Sequence, residues 1–331
     1  MNFTEDRPLN IYIGYDSRED VAYEVAKLSI EEHATIPVNI IPLKQKKLRS
    51  EGIYTRQEDA LASTEFTFTR FLVPYLNDYE GWAIFVDCDF LLNYAAETHV
   101  DNSYKFFKKH IDNNIIATQI LIESILNYNK KIKLIHFSTD EIYGESNNDS
   151  IIFKEDSNFN PTNPYAATKA CAELIINTYK YSYNLPIIIT RCNNVYGINQ
   201  HKEKVIPKFI SNIIDNKPIE IHGTQNKKRD FIYIDDVISA LEIIITNGVD
   251  SEIYNIGINN PIYIYDLANI ICNKMNKKNH KILRVKDRPF NDYRYNIDNT
   301  KLMNIGWKPI FINKNDFEKN LEKIIDNIKN N

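Results

Sequence analysis

Glycine is scarce in this sequence, and its scarcity excludes one common motif. The chain has 331 residues and nine glycines, and the glycines before residue 100 are Gly14, Gly52 and Gly81. The phosphate-binding turn of a dinucleotide-binding fold needs several glycines close together between a strand and a helix. These three are too far apart, so the first hundred residues contain no such turn.

Paired cysteines and long apolar runs are also lacking. The four cysteines are scattered and form no CxxC pair, which indicates neither a zinc site nor a disulfide framework. Reduced thiols and a cytoplasmic location are the expectation. No apolar run approaches the roughly 20 residues that span a bilayer, and the polar, acidic first ten residues are not typical of a signal peptide. The net charge of -4 gives no indication of a nucleic acid partner.

Strand-like and helix-like segments alternate along much of the chain. The apolar patterns predict strands at 11–16, 38–43, 82–86, 134–137 and 187–190. They predict helices at 19–33, 64–75, from about Ser103, at 117–128 and at 163–183. The apolar segment 91–95 extends or replaces the strand at 82–86. This alternation predicts an α/β fold with a Rossmann-like parallel sheet, followed by a smaller C-terminal α/β domain that binds substrate.

Two segments contain the tyrosine, lysine and acidic side chains that acid–base catalysis needs. HFSTDEIYGE (136–145) follows a predicted strand, and PTNPYAATKACAE (161–173) opens a predicted helix. Tyr165 and Lys169 are four residues apart and therefore share one helix face. A lysine ammonium beside a phenol lowers the phenol pKa, which would make Tyr165 a general base.

These segments resemble the extended short-chain dehydrogenase/reductase family, and within it the dTDP-glucose 4,6-dehydratases. The resemblance covers about Leu91–Trp307 and includes TRCNNVYG (190–197), RDFIYIDDV (229–237) and DRPFNDYRYNID (287–298). An epimerase would have an apolar residue or alanine where this chain has Asp140 and Glu141. The acidic pair therefore favours a dehydratase.

The resemblance implies a role for each residue of the site. Tyr165 removes the proton of the sugar 4-hydroxyl while hydride passes from C4 to NAD, Thr139 hydrogen-bonds that hydroxyl, and Lys169 also holds the nicotinamide ribose. Glu141 then removes the C5 proton and Asp140 protonates the departing C6 hydroxyl. Two neighbouring carboxylates can take such different roles only if their environments separate their pKa values.

The resemblance also implies the ligand contacts and the assembly. The cofactor-binding positions are Ala95, Ala96, Thr98, Ser138, Tyr165 and Lys169. The positions that hold the nucleotide sugar are Asn194, Lys204, Arg229, Asn255, Arg288 and Asn291. Asn291 stands where the family commonly has histidine, so the choice between a dTDP-sugar and a UDP-sugar stays open. A homodimer through the helices around 117–128 and 166–183 is expected.

The first ninety residues resemble something else, the first half of a GT-A-type glycosyltransferase. The similar segments are IYIGYDSREDVAYEVAKLSI, RQEDALASTEFTFTRFLVPYL and GWAIFVDCDFL. In such a fold Tyr15 and Asp16 would meet the nucleotide base. Asp87 and Asp89 form a DxD pair that could bind Mn²⁺ or Mg²⁺ at the donor diphosphate.

The sequence therefore predicts two regions, a glycosyltransferase-like fragment at 1–90 and an NAD-dependent epimerase/dehydratase-like region at 91–331. The fragment has the length and alternation to complete the parallel sheet. Three functions follow as hypotheses: a 4,6-dehydratase with weak or no activity because the glycine-rich turn is missing, a DxD metal-dependent glycosyltransferase, and a non-catalytic nucleotide-sugar-binding fusion product.

Overall fold

A seven-stranded sheet organises the chain in the computed structural model. The structure describes residues 8–15, 36–55, 83–86, 90–128, 130–223, 227–287 and 291–330, with a few single positions between 15 and 36 and at 289. The described strands are β1 (Leu9–Gly14), β2 (Val38–Leu43), β3 (Ala83–Val86), β4 (Phe90–Asn93), β5 (Lys133–Thr139), β6 (Ile187–Cys192), β7 (Asn194–Tyr196), β8 (Ile219–His222), β9 (Lys228–Tyr233), β10 (Ile253–Ile256), β11 (Pro261–Tyr263) and β12 (Ile282–Val285).

Helices alternate with these strands, as the sequence predicts. The described helices are α1 (Gln45–Ser50), α2 (Val100–Lys105), α3 (Phe107–His110), α4 (Ala117–Tyr128), α5 (Pro164–Tyr183), α6 (Val205–Ile214), α7 (Ile234–Asn247), α8 (Ile264–Lys274), α9 (Thr300–Asn304) and α10 (Lys314–Asn330). A π-helical segment, Ile111–Ile116, joins α3 to α4. The predicted helix at 64–75 and most of the one at 19–33 lie outside the described residues.

The strands of the large sheet run in two directions. Their spatial order is β10-β6-β5-β4-β3-β1-β2. Strands β4, β5, β6 and β10 are mutually parallel and are called here the C-terminal block. Strands β1, β2 and β3 are also mutually parallel and are called the N-terminal block. The blocks meet at an antiparallel pair of β3 and β4, in which Phe85 lies opposite Leu92.

The predicted Rossmann-like α/β fold is confirmed, but the described strands of the first ninety residues do not join the sheet in the predicted direction. Only three residues separate β3 from β4, whereas a parallel connection needs about a dozen. The chain therefore reverses at this point. Consequently the carboxyl ends of the N-terminal block lie at the opposite edge of the sheet from the carboxyl ends of β4, β5 and β6.

Helices cover both faces of the C-terminal block. Successive side chains of a strand point to opposite faces, and β6 shows this clearly. Ile187 and Ile189 pack in the cluster formed with α4 and α5, whereas Ile188 packs in the cluster formed with α7 and Trp307. All three isoleucines are fully buried. This packing fixes the carboxyl ends of β5 and β6, where polar side chains collect.

A smaller C-terminal region, built on β7, β8, β9, β11 and β12, packs against α6, α8 and α10. Its apolar cluster includes Phe209, Phe231, Leu267 and Phe317. The predicted smaller α/β region thus exists, although its elements are interleaved in sequence with β10 of the large sheet. Within the described ranges, no helix is both long enough and apolar enough to cross a membrane.

Candidate active site

A cavity of about 460 Å³ opens where the C-terminal block meets the smaller region. It lies at the carboxyl ends of β5 and β6, the edge at which open α/β sheets bind ligands. Among the described residues, every side chain that lines it comes from Tyr94 or later in the chain. The described part of the N-terminal block therefore contributes no wall to this cavity.

Helix α5 brings the predicted tyrosine and lysine into the cavity. The helix begins with Pro164, whose fixed φ suits the first helical position, and the Asn163 side chain caps it by accepting a hydrogen bond from the Ala166 amide at 2.9 Å. Tyr165 then lies in the first turn, hydrogen-bonded to Thr139 at the end of β5. Lys169 lies one turn later and donates to the Phe137 carbonyl at 2.8 Å.

The pKa values of this pair differ from the prediction. Burial, reinforced by the charge of Glu141, raises the pKa of Tyr165 well above its ordinary value. Burial lowers the pKa of Lys169 to about 8, although the charge of Glu173 opposes this change. The expected lowering of the Tyr165 pKa by Lys169 is therefore wrong for the chain by itself, because desolvation dominates both groups.

Asp140 and Glu141 form a buried acidic pair on a 3₁₀ turn directly after β5. Burial and the charge of Glu141 raise the pKa of Asp140 to about 8, so this carboxyl holds a proton at neutral pH. Burial also raises the pKa of Glu141. A carboxyl that stays protonated at neutral pH can donate to a leaving group, which is the predicted role of Asp140.

Each carboxyl is held by its own asparagine. Asn193 donates from Nδ2 to Asp140 Oδ2 at 2.7 Å, and Asn163 donates from Nδ2 to Glu141 Oε2 at 2.8 Å. Neither asparagine is among the site residues predicted from the sequence. A signal existed for Asn163, because an asparagine directly before proline at a helix start is a typical N-cap. No comparable signal marks Asn193, which follows β6 and meets Asp140 only through the sheet register.

The predicted cofactor positions are only partly brought together. Ala96, Thr98 and Ser138 line the cavity with Tyr165 and Lys169. Ala95 is not among the lining residues, and its amide donates to Asn93 Oδ1 at 3.1 Å. Ser138 Oγ is buried and has no hydrogen-bond partner within the described chain. A buried hydroxyl without a partner fits a site that a polar ligand completes, so this end suits the nicotinamide ribose of NAD.

The pyrophosphate of a dinucleotide, by contrast, fits the described residues poorly. A dinucleotide places its pyrophosphate at a helix N-terminus that follows the carboxyl end of a strand beside the cavity. The carboxyl ends of β1, β2 and β3 lie at the far edge of the sheet. Gly14 ends β1 at that far edge. The described residues therefore provide contacts for nicotinamide but no recognisable pyrophosphate cradle.

The predicted substrate-binding residues also fall into two groups, those that line the cavity and those that do not. Four of them line the cavity, namely Asn194, Lys204, Arg229 and Asn291. Arg229 is anchored by donating to the carbonyls of Asp292 and Tyr293, and its guanidinium stacks on the Tyr295 ring at 5.0 Å. Lys204 donates to Thr98 Oγ1 at 3.2 Å, which links the predicted substrate and cofactor positions.

Two predicted substrate residues are not part of this arrangement. Asn255 is fully buried away from the cavity, where it accepts from the Tyr143 hydroxyl at 2.8 Å and donates to the Asp298 carbonyl at 3.0 Å. The structure thus gives Asn255 a structural role instead of a ligand contact, since its hydrogen bonds are used within the fold. Arg288 lies outside the described residues.

The predicted metal pair cannot be placed, because Asp87 and Asp89 lie outside the described residues. Among the residues that the structure does describe, no group of three or more histidine, cysteine or acidic side chains could hold a metal ion. The Mn²⁺ or Mg²⁺ site therefore stays a prediction.

The fold and the cavity together define a protein of the Rossmann-like class with a tyrosine–lysine pair in its cavity. A family model described as "NAD dependent epimerase/dehydratase family" matches residues 54–257. This chain belongs to that family. The match begins before the predicted boundary at residue 90, so the division into 1–90 and 91–331 stays a prediction.

The relatives of this chain include several 4,6-dehydratases. The dTDP-D-glucose 4,6-dehydratase of Dictyostelium discoideum is 41% identical over an alignment 286 positions long, and the match covers 73% of this chain and 65% of the relative. A trifunctional enzyme of Arabidopsis thaliana, with UDP-glucose 4,6-dehydratase as its first named activity, is 40% identical over 72% of this chain but 35% of its own length. The chain thus spans less than two thirds of these relatives.

Solved structures show the same likeness over nearly the whole chain. The dTDP-glucose 4,6-dehydratase of Streptomyces venezuelae, solved with bound NAD, is 25% identical and has a TM-score of 0.71. The match covers 98% of each of the two chains. The enzyme of Bacillus anthracis, also solved with NAD, is 26% identical with a TM-score of 0.66. These matches support the dehydratase resemblance and give the glycosyltransferase resemblance no support.

Proposed function

We propose that this chain is a nucleotide-sugar 4,6-dehydratase that acts on dTDP-glucose, forming dTDP-4-keto-6-deoxyglucose with loss of water. The observation that supports this most is the position of Asp140 and Glu141 in the same cavity as Thr139, Tyr165 and Lys169. An acidic pair beside the tyrosine–lysine pair suits elimination, which needs one group to remove a proton and another to donate one.

Oxidation at C4 is the first half of the proposed reaction. Tyr165 takes the proton of the 4-hydroxyl, and the Thr139 hydroxyl holds that oxygen in place. Bound NAD⁺ would accept hydride from C4 and return it at C6, and its ring charge would lower the raised pKa of Tyr165. Ser138 and Lys169, which both line the cavity, would hold the nicotinamide ribose.

Elimination is the second half, and the acidic pair performs it. Once C4 is a ketone, its electron withdrawal makes the C5 proton acidic. Glu141 removes that proton, and Asp140 gives its own proton to the C6 hydroxyl, which leaves as water and leaves a double bond between C5 and C6. When hydride returns at C6, Glu141 gives its proton back to C5, and the proton that Tyr165 took from the 4-hydroxyl replaces the one that Asp140 gave up. Asn163 and Asn193 keep the two carboxyls in separate hydrogen-bonding environments, which is the condition for separate roles.

The charged side of the cavity suits a nucleoside diphosphate. Lys204 and Arg229 supply positive charge, and Asn194 and Asn291 supply amide donors. Cations and amide donors of this kind bind phosphate oxygens. The choice between dTDP and UDP is part of the test, because relatives of both kinds are similar to this chain.

Product formation tests the proposal. The purified chain is incubated with dTDP-glucose or UDP-glucose, with and without millimolar NAD⁺, and the product is identified by NMR. We expect the 4-keto-6-deoxy sugar to form slowly and only with added NAD⁺, since the described residues lack a pyrophosphate cradle. A chain that copurifies with stoichiometric NAD would contradict the weak-affinity part, and no product at any NAD⁺ concentration would contradict the dehydratase proposal.

A homodimer in the cytoplasm completes the proposal. Large apolar side chains are exposed at the end of the π-helical segment, on α4 and on α5, namely Ile116, Ile120 and Leu174, at 42%, 57% and 54%. Burial of such a surface against a second copy is favourable. The free thiols of Cys171, Cys192 and Cys272 suit a reducing compartment. Light scattering that gives a monomer at micromolar concentration would contradict the dimer.

The two other hypotheses keep their own tests. Mn²⁺-dependent transfer or hydrolysis of a UDP-sugar, lost in Asp89→Ala, would support a glycosyltransferase. Binding of dTDP-glucose without product, unchanged in Tyr165→Phe, would support a non-catalytic nucleotide-sugar-binding protein. No contact among the described residues favours either function over the dehydratase.

A further inference from the structure

A buried arginine connects two elements of the proposed active site without lining the cavity. Arg191 lies in β6 and is 2% exposed. Its Nη2 donates to Glu173 Oε2 at 2.7 Å, and its Nη1 donates to the Tyr143 hydroxyl oxygen at 2.7 Å. None of these three residues is among the described residues that line the cavity, and the reaction proposed above uses none of them.

The two ends of this connection belong to the two halves of the proposed reaction. Glu173 follows Tyr165 and Lys169 at intervals of four residues, so the three side chains lie along one side of α5. Tyr143 is the last residue of the 3₁₀ turn that begins with Asp140. The connection therefore joins the helix of the tyrosine–lysine pair to the turn of the acidic pair.

The hydroxyl of Tyr143 is fully used within this connection. A guanidinium has only donors, so the hydroxyl oxygen accepts from Arg191. The Asn255 NH₂ group donates to the Asp298 carbonyl at 3.0 Å, so the oxygen of this amide faces Tyr143 and accepts its hydroxyl proton at 2.8 Å. The end of the 3₁₀ turn is thereby fastened to both β6 and β10.

The ring of Tyr143 is packed independently of its hydroxyl. It stacks on the Phe153 ring with a centroid separation of 5.4 Å and an interplanar angle of 7°. The Arg191 guanidinium lies over the Tyr143 ring at 4.8 Å from its centroid. A phenylalanine in this place would keep both ring contacts and lose only hydrogen bonds, so the hydroxyl can be tested alone.

The acidic pair needs such support because its burial is unfavourable. Burial raises the pKa values of Asp140 and Glu141, which means that it disfavours their carboxylate forms. The proposed elimination produces such a carboxylate when Asp140 gives up its proton, and an ionised group is driven toward water. A 3₁₀ turn has weak hydrogen-bond geometry of its own, so contacts outside the turn must hold it in place.

We propose that Tyr143, whose hydroxyl is held by Arg191 and Asn255, is a positioning residue that fixes the distance between the acidic pair and the tyrosine–lysine pair. Glu173 completes the connection from the side of α5. The proposal rests on the proposed function and deepens it, because it assigns the spacing between the two halves of the reaction to residues outside the cavity.

The variant Tyr143→Phe tests the proposal without any need for turnover. The titration of Asp140 is followed by its ¹³Cγ NMR signal, which is assigned by its loss in Asp140→Asn. The wild type should have a midpoint near 8, and Tyr143→Phe a lower one, because a released turn lets water reach the carboxyl. Glu141 and Arg229, whose charges act on Asp140, are present in both chains. An unchanged midpoint would overturn the proposal.

Tyr254→Phe is the matched control. Tyr254 is also buried, and its hydroxyl accepts a hydrogen bond from the Val249 amide at 3.0 Å. The variant loses a buried tyrosine hydrogen bond outside the connection, so the Asp140 midpoint should keep its wild-type value. An equal fall of the midpoint in both variants would show a general loss of stability and would overturn the positioning role.

Single-turnover kinetics provide a second measurement in a chain that forms product. With dTDP-glucose and added NAD⁺, oxidation is followed by the absorbance of reduced nicotinamide, and elimination by formation of the 4-keto-6-deoxy sugar. Misplacement of a catalytic group by about 1 Å can cost ~10²-fold, so Tyr143→Phe should slow elimination by at least about 10-fold. Oxidation should be unchanged, so reduced nicotinamide should accumulate. Equal slowing of both steps would contradict the proposal.

The outcomes separate this proposal from the proposed function. An unchanged Asp140 midpoint in Tyr143→Phe would overturn the positioning role, even in a chain that forms product. A lower midpoint in Tyr143→Phe but not in Tyr254→Phe would support it, even in a chain that forms none. If Tyr143→Phe does not fold, Glu173→Gln interrupts the same connection at α5, and the same fall of the midpoint is expected. An unchanged midpoint in Glu173→Gln would then overturn the proposal.

Discussion

The two blocks of the large sheet are built from similar strands but differ in what they position. The C-terminal block is covered by helices on both faces, and the carboxyl ends of β5 and β6 present Thr139 and Cys192 to the cavity. The N-terminal block joins the same sheet in the opposite direction, and its described residues do not reach the cavity. The comparison teaches that strand direction, as well as strand presence, decides whether a sheet can supply a ligand site.

The largest expected effect is on turnover and lies in the C-terminal block. Tyr165→Phe removes the proposed base, and loss of a general base typically costs 10²–10⁴-fold, so we expect about a 10³-fold loss of turnover. Nucleotide binding, measured by calorimetry, should persist. Tyr181→Phe on the same helix is the matched control, since that side chain is 89% exposed. Equal activity of the two variants would contradict the proposed role of this block.

The next largest effect is on stability of the same block. Arg191 and Glu173 form a fully buried ion pair at 2.7 Å between β6 and α5. Glu173→Ala leaves the guanidinium buried without its carboxylate, which should lower the free energy of unfolding by about 3–5 kcal/mol. Urea denaturation measures this. The exposed pair of Lys47 and Glu51 is the control, and its loss in Glu51→Ala should cost less than about 0.5 kcal/mol.

Replacing Asp140 should have a smaller, pH-dependent effect on the free energy of unfolding. Its pKa is about 8 in the folded chain, against 3.8 as its ordinary value. The folded state therefore binds the extra proton, and stability contributed by this group is lost as the pH rises between these two values. Asp140→Asn should raise the free energy of unfolding by about 1–2 kcal/mol at pH 8 but not at pH 4, while dehydration is lost.

The dehydration activity of the wild type should also depend on the protonation of Asp140. A general acid must be protonated, so dehydration should fall as the pH rises through about 8. A stability of Asp140→Asn that is equal to the wild type at both pH values would contradict a raised pKa in this part of the site.

The smallest effect compares matched isoleucines in the two blocks. Ile188→Val in β6 and Ile11→Val in β1 each remove one methylene, and such changes typically cost 0.5–1.5 kcal/mol. Ile188 packs in a large cluster and should lie near the upper value, whereas Ile11 packs in a small one and should lie near the lower value. dTDP binding should be unchanged in Ile11→Val. Weakened dTDP binding in Ile11→Val would contradict the conclusion that the N-terminal block does not contribute to the cavity.

The C-terminal block could largely be predicted from the sequence, since its signals are local. The Asn163 N-cap and Pro164 at the first helical position fix where α5 begins, and the helix at 117–128 has the predicted bounds. The tyrosine, the lysine and the acidic pair were all expected and share the cavity. Local spacing sufficed there because each residue is placed by the element that contains it.

The other features of the fold and the site depend on contacts between segments that are distant in sequence. Local sequence patterns do not encode such contacts. The direction of β3 follows from the short connection to β4, yet the sequence allowed 91–95 to extend the preceding strand. The pKa of Tyr165 depends on burial by the whole fold. Asn255 resembled a ligand contact but bonds to Tyr143, which is 112 positions away.

Asn163 has a further consequence for the two halves of the proposed reaction. One end of its amide caps the helix that starts beside Tyr165, and the other end holds Glu141. When Glu141 takes up the C5 proton, the hydrogen bond from Asn163 loses its charged acceptor and weakens. The same side chain therefore holds the proposed base of the elimination and caps the helix that carries the proposed base of the oxidation.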